Sequence, residues 1–346
     1  MHLDLQMQLI DSEEQLDDAL SVPTQSLCDT LARLEGDVLI LGVGGKMGPT
    51  LAKLARRAID LAGLDKRIIG ASRFSSHELY RDLNESGIDT VHCDLLNEAD
   101  VARLPDVPNV VYLAGRKFGT KDDTAFTWAM NTYVPALVAR RFARSRIVAL
   151  STGNVYPLCP VASGGPTEHD PVGPVGEYAQ SCLGRERIFQ YFSGRNGTPA
   201  TLVRLNYAVE LRYGVLLDIG RKVRRREPVD VTTGHANIIW QRDANEAVLR
   251  CLEVCRTPPE ILNLAGPIVS IREVAERFGR LFGVDPIIIG RESDTVLLSN
   301  GAKYDRLFGP PTVSIEQMIR WVAHWILIGG KTHDLPTHYE QREGQY

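Results

Sequence analysis

Residues 37–49 read DVLILGVGGKMGP, a short apolar run followed directly by a glycine-rich loop. Gly42, Gly45 and Gly48 lie between that run and a helical pattern from Pro49 to Ala62. In this context one glycine permits the tight turn, one lets the backbone approach a pyrophosphate, and one lets the helix pack closely. The amino end of the helix also attracts negative charge. The stretch therefore predicts a dinucleotide-binding loop at the start of a β-α unit.

Short apolar runs recur along the chain after this loop. They cover residues 37–41, 67–71, 90–93, 109–113, 146–150 and 200–204, and helical patterns separate them. Continuous rather than alternating hydrophobicity indicates strands that are buried on both faces, which is typical of a parallel sheet covered by helices. We therefore expect an α/β fold with a doubly wound parallel (Rossmann) sheet and a smaller C-terminal substrate lobe.

The spacing of these patterns suggests four regions. From Asn206 onward the rhythm loosens and loop-rich stretches surround helices, which is where we place the substrate lobe. The expected regions are an N-terminal helical extension (1–35), a dinucleotide-binding domain (36–205 and 237–265), the substrate lobe (206–236 and 266–330) and a tail (331–346). The polar tail is either an ordered strap or a disordered segment.

Composition excludes several classes of function. The net charge is -4, and the only basic run is Arg221 to Arg226, which argues against nucleic acid as a partner. No apolar run approaches the roughly 18 residues that a membrane span needs. The six cysteines form no CxxC pair and have no histidine at metal-ligand spacing, so we expect no metal site. These features favour a cytoplasmic enzyme with a small-molecule substrate.

The residues around the second strand indicate which dinucleotide binds. That strand ends in Ala71-Ser72-Arg73, without the acidic residue that would bind a free ribose 2′-hydroxyl. Arg73 suits a 2′-phosphate better, and Lys46 inside the glycine loop is a candidate for a second positive charge there. We therefore expect NADP or NAD as cofactor and favour NADP.

Together with later motifs, these features resemble the extended short-chain dehydrogenase/reductase family, the nucleotide-sugar epimerase and dehydratase group, over most of residues 37–328. The shared positions are Gly42, Gly45, Gly48, Asp94, Ala114, Gly115, Ser151 to Tyr156, Glu168, Tyr178, Ser181, Arg204 to Asn206 and Asp243. The resemblance implies hydride transfer, with Thr152 and Tyr178 at the reacting oxygen of the substrate. The expected cofactor contacts are Gly42, Gly45, Lys46, Met47, Gly48, Arg73, Asp94, Leu95, Ala114, Gly115, Asn131 and Tyr178.

One position departs from the family pattern. In the family, a lysine four residues after the tyrosine lowers the pKa of the phenol, whose ordinary value is near 10. Here Cys182 occupies that position. We expect Cys182 to be a packed thiol rather than a nucleophile. Arg116, Lys117 and Lys121 follow the fourth strand and are candidates for a replacement cation, of which we favour Lys117.

The remaining site expectations are less specific. Pro135 has no N–H for the carbonyl of Asn131, which leaves either a carbonyl that binds a water near the site or an ordinary helix kink. Arg212, Tyr213, Arg221 and Trp240 are candidates for substrate contact, although surface or packing roles are more common for each.

The family resemblance leads to one expectation about function and one about assembly. We expect an NAD(P)-dependent oxidoreductase or epimerase acting on a sugar, sugar acid or nucleotide sugar. The alternative is a dinucleotide-binding regulator or scaffold that has lost the chemistry. The resemblance also implies a homodimer, formed through the helices around residues 124–144 and 177–192.

Overall fold

The structure, a computed structural model, describes residues 9–344. Its strands are β1 (Val38–Leu41), β2 (Ile68–Ser72), β3 (Asp89–His92), β4 (Asn109–Tyr112), β5 (Arg146–Thr152), β6 (Cys159–Pro160), β7 (Ala200–Leu205), β8 (Tyr207–Val209), β9 (Val229–Asp230), β10 (His235–Trp240), β11 (Glu260–Leu264), β12 (Ile268–Ser270), β13 (Ile288–Ile289) and β14 (Thr295–Val296).

The α-helices alternate with these strands along the chain. They are α1 (Glu13–Ser21), α2 (Gln25–Arg33), α3 (Gly48–Leu61), α4 (His77–Glu85), α5 (Glu98–Arg103), α6 (Thr124–Trp128), α7 (Val134–Arg141), α8 (Gly176–Asn196), α9 (Val215–Arg224), α10 (Gln241–Arg250), α11 (Ile271–Phe282), α12 (Ala302–Phe308) and α13 (Ile315–Leu327). A π-helical turn, Ala129–Tyr133, joins α6 to α7. No helix within residues 9–344 has the length and apolar character that a bilayer crossing requires.

Seven parallel strands form the central sheet, in the order β3-β2-β1-β4-β5-β7-β11. The expected doubly wound α/β fold is confirmed, because the strand order reverses between β1 and β4 as it does in that architecture. All six expected apolar runs form strands of this sheet. The seventh strand, β11, was not expected, since Glu260 and Asn263 interrupt its apolar run.

Alternate residues of the central strands supply the two faces of the sheet. Val38 and Ile40 pack with α3 and α10 on one face, whereas Leu39 and Leu41 pack with α7 and α8 on the other. This alternation follows from the two-residue period of a strand. The carboxyl ends of the strands are left open between the two helical layers, which is where ligands bind in this fold.

Residues after β7 build a second apolar cluster beside the sheet. Strands β8, β10 and β12 form a small mixed sheet, and α9, α11 and α13 pack around it. The N-terminal helices contact both units: Leu27 of α2 joins the cluster under the main sheet, and Leu16 of α1 joins the second cluster. The N-terminal segment therefore bridges the two clusters.

The C-terminal segment crosses this second unit instead of extending away from it. Tyr339 is buried in the second cluster, and the backbone N–H and the Oγ1 of Thr337 both donate to Asp218, at 2.8 and 2.6 Å. Arg342 donates to the carbonyl oxygen of Thr295 at 2.6 Å. Of the two possibilities for the tail, the described part up to Gly344 takes the form of an ordered strap.

Candidate active site

A cavity opens at the carboxyl ends of β1, β4, β5 and β7. Its lining includes Gly42, Gly45, Lys46, Met47, Gly48, Gly115, Lys117, Thr152, Asn154, Tyr178, Arg185, Asn206, Ala208 and Tyr213. Most of the cofactor and catalytic residues expected from the sequence are thus in one place. The exceptions are treated below.

The glycine loop forms the inner wall of this cavity and fits a dinucleotide. Gly42 has a φ of +84°, a conformation that L side chains rarely adopt. A Cβ at Gly48 would overlap the carbonyl of Val43, so only glycine lets helix α3 start this close to the strand. The amino end of α3 is therefore directed at the cavity, where it can face a pyrophosphate.

Thr152 and Tyr178 are two neighbouring hydroxyl groups in the lining of the cavity. Thr152 is the last residue of β5, and Tyr178 lies in the first turn of α8. A side-chain hydrogen bond links the two hydroxyl groups. Thr152 also accepts a hydrogen bond from the backbone N–H of Asn154 at 3.2 Å, which fixes the orientation of the threonine. A substrate oxygen placed between the two hydroxyls could exchange a proton with Tyr178.

The surroundings of Tyr178 determine its protonation state. Burial raises the pKa of Tyr178 well above its ordinary value of 10, and the charge of Arg185 and the Thr152 hydrogen bond act in the opposite direction. With only protein groups around it, Tyr178 is thus a neutral phenol at pH 7. A neutral phenol can donate a proton, but to accept one it needs additional positive charge nearby.

Cys182 is a packed thiol, and it lies one helical turn after Tyr178. It is fully buried and packs with Val155, Tyr156 and Tyr178. Burial raises the pKa of its thiol above the ordinary value. A neutral, enclosed thiol does not supply the positive charge that the family lysine provides.

Asn131 connects the loop after β4 to helix α8. It is fully buried in the π-helical turn, and its Nδ2 donates to the carbonyl of Arg116 and to Oγ of Ser181, both at 2.9 Å. Its Oδ1 accepts hydrogen bonds from the backbone N–H of Arg116 and from Arg185, at 2.9 and 2.6 Å. The side chain of Asn131 therefore organises this wall of the cavity.

Sequence reasoning missed Arg185. This residue is only 6% exposed, and its guanidinium donates to the carbonyl of Leu150 at 2.8 Å as well as to Asn131. Arg185 lies seven residues after Tyr178, whereas the replacement cation was predicted in the loop after β4. The available signal was helical spacing, because residues seven apart share one face of a helix.

Two lysines lie on the outer wall of the cavity. The Lys117 ammonium is 6.0 Å from the ring centroid of Tyr178 and donates to the carbonyl of Thr337 in the tail, at 3.4 Å. Lys46 is an exposed residue of the loop, but its ammonium donates to the carbonyl of Ala208 at 2.6 Å and lies 4.4 Å from the ring centroid of Tyr213. Enclosure of the two ammonium groups lowers the pKa of each lysine to about 8.

Several expected contacts lie outside the cavity lining. Arg73 is exposed at the end of β2, and Asp94 accepts a hydrogen bond from the backbone N–H of Leu96 at 3.0 Å. Leu95 is buried, Ala114 packs under Gly42, and Lys121 is exposed. The side chain of Lys46 is directed at Ala208, so the structure does not bring it to Arg73.

Three of the four substrate candidates have structural roles. Arg212 forms ion pairs with Glu210 and Asp17, at 3.1 and 3.0 Å. Arg221 pairs with Asp334 of the tail, and Trp240 is 1% exposed with its ring against Trp321. Of the four candidates, Tyr213 alone lines the cavity. The other three, Arg212, Arg221 and Trp240, hold the second unit together.

A buried ion pair joins the helix that carries Tyr178 to the central sheet. Arg204 of β7 contacts Glu186 of α8 at 2.8 Å, and both side chains are almost fully enclosed. Glu186 also accepts a hydrogen bond from Ser151 at 2.6 Å, and Arg204 donates to the hydroxyl of Tyr156 at the same distance. The network fixes α8, and with it Tyr178, against strands β5 and β7.

No group of three or more histidine, cysteine, aspartate or glutamate side chains in residues 9–344 is arranged to hold a metal ion. Glu210, an acidic side chain that follows the cavity residue Ala208, is paired with Arg212.

Comparisons with known proteins agree with this geometry. Residues 38–265 match the model of the NAD dependent epimerase/dehydratase family. UDP-glucuronic acid 4-epimerase from Bacillus cereus, in complex with UDP-glucuronic acid and NAD, has a similar structure: TM-score 0.70, 17% identity, 84% of this chain and 99% of that chain covered. No curated protein matches the sequence.

Two further solved structures show the same fold. MoeE5 in complex with UDP-glucose and NAD has a TM-score of 0.68 at 19% identity, covering 85% of this chain and 99% of that one. DesIV, a dTDP-glucose 4,6-dehydratase from Streptomyces venezuelae with NAD and TYD bound, has a TM-score of 0.69 at 18% identity, covering 84% and 97%. The family match includes both the glycine loop and Tyr178.

Proposed function

Because the chain belongs to the NAD dependent epimerase/dehydratase family, we propose that it transfers hydride between a nicotinamide dinucleotide and an anionic, carbohydrate-like substrate. The observation that carries the proposal is the composition of one cavity. The hydrogen-bonded pair of Tyr178 and Thr152, the glycine loop, and the lysines Lys46 and Lys117 all line this cavity. A bound nicotinamide would supply the hydride acceptor or donor, and the chain would supply the proton.

In this proposal each polar residue at the reacting oxygen has one task. Tyr178 donates its proton to a carbonyl oxygen during reduction or takes one from a hydroxyl during oxidation, while Thr152 holds that oxygen by a hydrogen bond. The raised pKa keeps Tyr178 in its neutral form when only protein groups surround it. The neutral form is the one needed to start a reduction.

The two lysines favour a substrate that carries negative charge. A bound carboxylate or phosphate would accept charge-assisted hydrogen bonds from the ammonium groups of Lys46 and Lys117. Lys46 has no carboxylate within ion-pair distance among the described residues, and its contacts are a carbonyl oxygen and an aromatic ring. Sugar acids and nucleotide sugars carry such anionic groups, whereas a neutral free sugar does not.

The choice of cofactor is part of the same proposal. Arg73 follows β2, where an acidic residue would favour NAD, and it is exposed and able to meet a 2′-phosphate. We therefore favour NADP over NAD for this chain. The three similar structures described above contain NAD, so this preference would distinguish the chain from them.

A homodimer is the proposed assembly. Helices α7 and α8 pack side by side, and both Tyr133, in the π-helical turn before α7, and Tyr191 of α8 are exposed. Exposed aromatic residues on adjacent helices suit an isologous contact between two copies. We also propose a cytoplasmic location, which suits the six free thiols.

One observation favours a second candidate function. The family lysine is absent, and burial keeps Tyr178 protonated, so the chain could be a dinucleotide-binding regulator that no longer turns over substrate. The hydrogen-bonded pair of Thr152 and Tyr178 argues against this alternative, because a binding protein has no chemical need for it.

Turnover of a matched substrate panel tests the proposal. UDP-glucuronic acid, UDP-glucose, glucuronate and glucose would each be incubated with NAD, NADP and their reduced forms, and changes in cofactor absorbance and in the sugar product would be followed. We expect turnover of an anionic member, and we expect Lys46→Met or Lys117→Met to raise its KM about tenfold. Lys121→Met is the control, because Lys121 is an exposed lysine in the same loop as Lys117. Binding of cofactor without turnover of any member would favour the regulator.

A further inference from the structure

The charge that the family lysine would provide must come from another residue if Tyr178 is to exchange protons. Cys182 does not provide it, because its thiol is buried and neutral. Helix α8 carries a second candidate three residues further on. Arg185 has its whole side chain enclosed, yet it lines the same cavity as Tyr178 and the glycine loop.

The contacts of Arg185 leave part of its guanidinium available. Nη1 donates to Leu150 and Nη2 to Asn131, at 2.8 and 2.6 Å. Nε is buried and has no hydrogen-bond partner among the described residues. A buried donor without a partner is unfavourable by about 1–3 kcal/mol, so such groups in native proteins usually meet a ligand or water. Arg185 is therefore a residue of the cavity lining whose buried Nε has no partner among the described protein groups.

Helix geometry explains how Arg185 reaches the site. Residues 178, 182 and 185 share one face of α8, and long helical side chains lean toward the amino end of their helix. From position 185 the guanidinium reaches the carbonyl of Leu150 and the side chain of Asn131, and its charge acts on Tyr178. Gly115 makes room for it, because a Cβ at that position would overlap Nη2 of Arg185.

The same geometry favours a small side chain at position 182. A lysine at 182 and an arginine at 185 would place two cations three residues apart on one buried helix face, where like charges repel strongly. Cysteine at 182 avoids that repulsion and leaves space for the arginine side chain. A small residue at 182 and an arginine at 185 are thus compatible on this helix face.

We propose that Arg185 replaces the missing lysine, binding the nicotinamide-end ribose of the dinucleotide and stabilising negative charge on the Tyr178 oxygen. This inference rests on the proposed function, since it assumes that the cavity holds the dinucleotide. Lys117 has a different position: it lies over the face of the Tyr178 ring and bonds to the tail. The charge of Arg185 also lowers the pKa of Tyr178, against the larger effect of burial.

Dinucleotide binding to a small set of variants tests the inference. The affinity for NADPH and NADH would be measured by quenching of tryptophan fluorescence for the parent protein, Arg185→Met, Arg185→Lys, Cys182→Lys and the double variant Cys182→Lys/Arg185→Ala. Arg187→Met is the control, because Arg187 is exposed on the same helix and its side chain bonds to Gln190. Unfolding midpoints of all variants identify those that fail to fold.

We expect Arg185→Met to weaken binding about tenfold or more, as loss of a charged hydrogen bond does. Arg185→Lys should recover part of that loss, and the double variant should bind close to the parent. Cys182→Lys alone should bind more weakly than the double variant, and Arg187→Met should behave as the parent. Recovery in the double variant is the decisive result, because a purely structural arginine would not be replaced by a lysine at another position.

Three results would overturn the inference. One is parent-like binding by Arg185→Met, and another is weak binding by a folded double variant. The third is failure of the parent protein to bind either dinucleotide, which would also refute the proposed function. If the double variant recovers binding but the parent turns over no substrate, the inference is supported and the proposed function fails.

Discussion

The Nη2 of Arg185 donates a hydrogen bond of 2.6 Å to the Oδ1 of Asn131, and this contact ties helix α8 to the π-helical turn before α7. Asn131 also accepts from the backbone N–H of Arg116 and donates to Ser181. One buried amide thus connects the wall that would face the nicotinamide to the helix that carries Tyr178. The same contacts therefore fix the positions of the Arg185 guanidinium and of the helix that carries the Tyr178 phenol.

The first prediction concerns the choice between NADP and NAD, and it depends on Arg73. If Arg73 binds the 2′-phosphate, the parent protein should bind NADPH more tightly than NADH. Arg73→Ala should then weaken NADPH binding about tenfold or more and change NADH binding little, because a charged hydrogen bond contributes on the order of 1.5–3 kcal/mol. Calorimetry measures both affinities, and Arg81→Ala on the adjacent helix α4 is the control. Equal affinities of the parent for the two dinucleotides would contradict the assignment.

The pH dependence of substrate binding is the second prediction. The pKa of Lys46 and of Lys117 is lowered to about 8, so both lysines are mostly charged at pH 7 and lose their charge as the pH rises through 8. Attraction for an anionic group is therefore complete below about pH 8 and is lost above it. We expect the affinity for UDP-glucuronic acid to fall above pH 8 more steeply than that for UDP-glucose.

Calorimetry across neutral and alkaline pH measures this difference, since the two ligands differ in one carboxylate. In the Lys46→Met/Lys117→Met variant the two pH profiles should become parallel. Parallel profiles already in the parent protein would mean that the lysines do not recognise the carboxylate.

The third prediction concerns the free energy of unfolding and the enclosed ion pair of Arg204 and Glu186. Arg204→Met would leave Glu186 buried without its cation, a change that typically costs about 3–5 kcal/mol of the free energy of unfolding. Denaturant unfolding measures this cost. Arg81→Met removes an exposed pair with Glu85 and should change stability by less than about 1 kcal/mol. A similarly small effect of Arg204→Met would show that the network does not anchor α8.

The pattern of buried runs predicted six of the seven central strands, because strands enclosed on both faces leave a continuous apolar signal. Strand β11 lacks that signal because Glu260 and Asn263 interrupt its apolar run. Their polar partners, Lys303 for Glu260 and Tyr156 for Asn263, are supplied only by the tertiary structure. The glycine loop, Thr152 and Tyr178 were predicted together because their spacing within short motifs is fixed by local structure.

Contacts between distant segments escaped prediction for a similar reason. Arg185 lies outside any motif, and its role depends on Gly115 and Asn131, which are far from it in the sequence. Lys46 was expected near Arg73, yet its ammonium bonds to Ala208, a residue 162 positions away. The direction of a long side chain is decided by the elements packed around it, and the sequence does not record that arrangement.

Assembly is the fourth prediction. Tyr191 is 57% exposed on α8, and in a dimer formed through α7 and α8 it would be enclosed. Light scattering should give twice the chain mass for the parent protein, and Tyr191→Glu should shift the population toward monomer by burying a charge in the contact. Leu61→Glu changes an exposed apolar residue at the end of α3 and should leave the dimer intact. A parent protein that stays at 38.3 kDa at all concentrations would refute the dimer.

The most direct test of the central claim is the rate of hydride transfer in a single turnover, measured with saturating dinucleotide for the parent protein, Tyr178→Phe and Cys182→Ser. If Tyr178 exchanges the proton, Tyr178→Phe should be slower by roughly a hundredfold to ten-thousandfold, with dinucleotide affinity essentially unchanged, and Cys182→Ser should resemble the parent. A Tyr178→Phe variant as fast as the parent, or a Cys182→Ser variant that is inactive, would contradict the account.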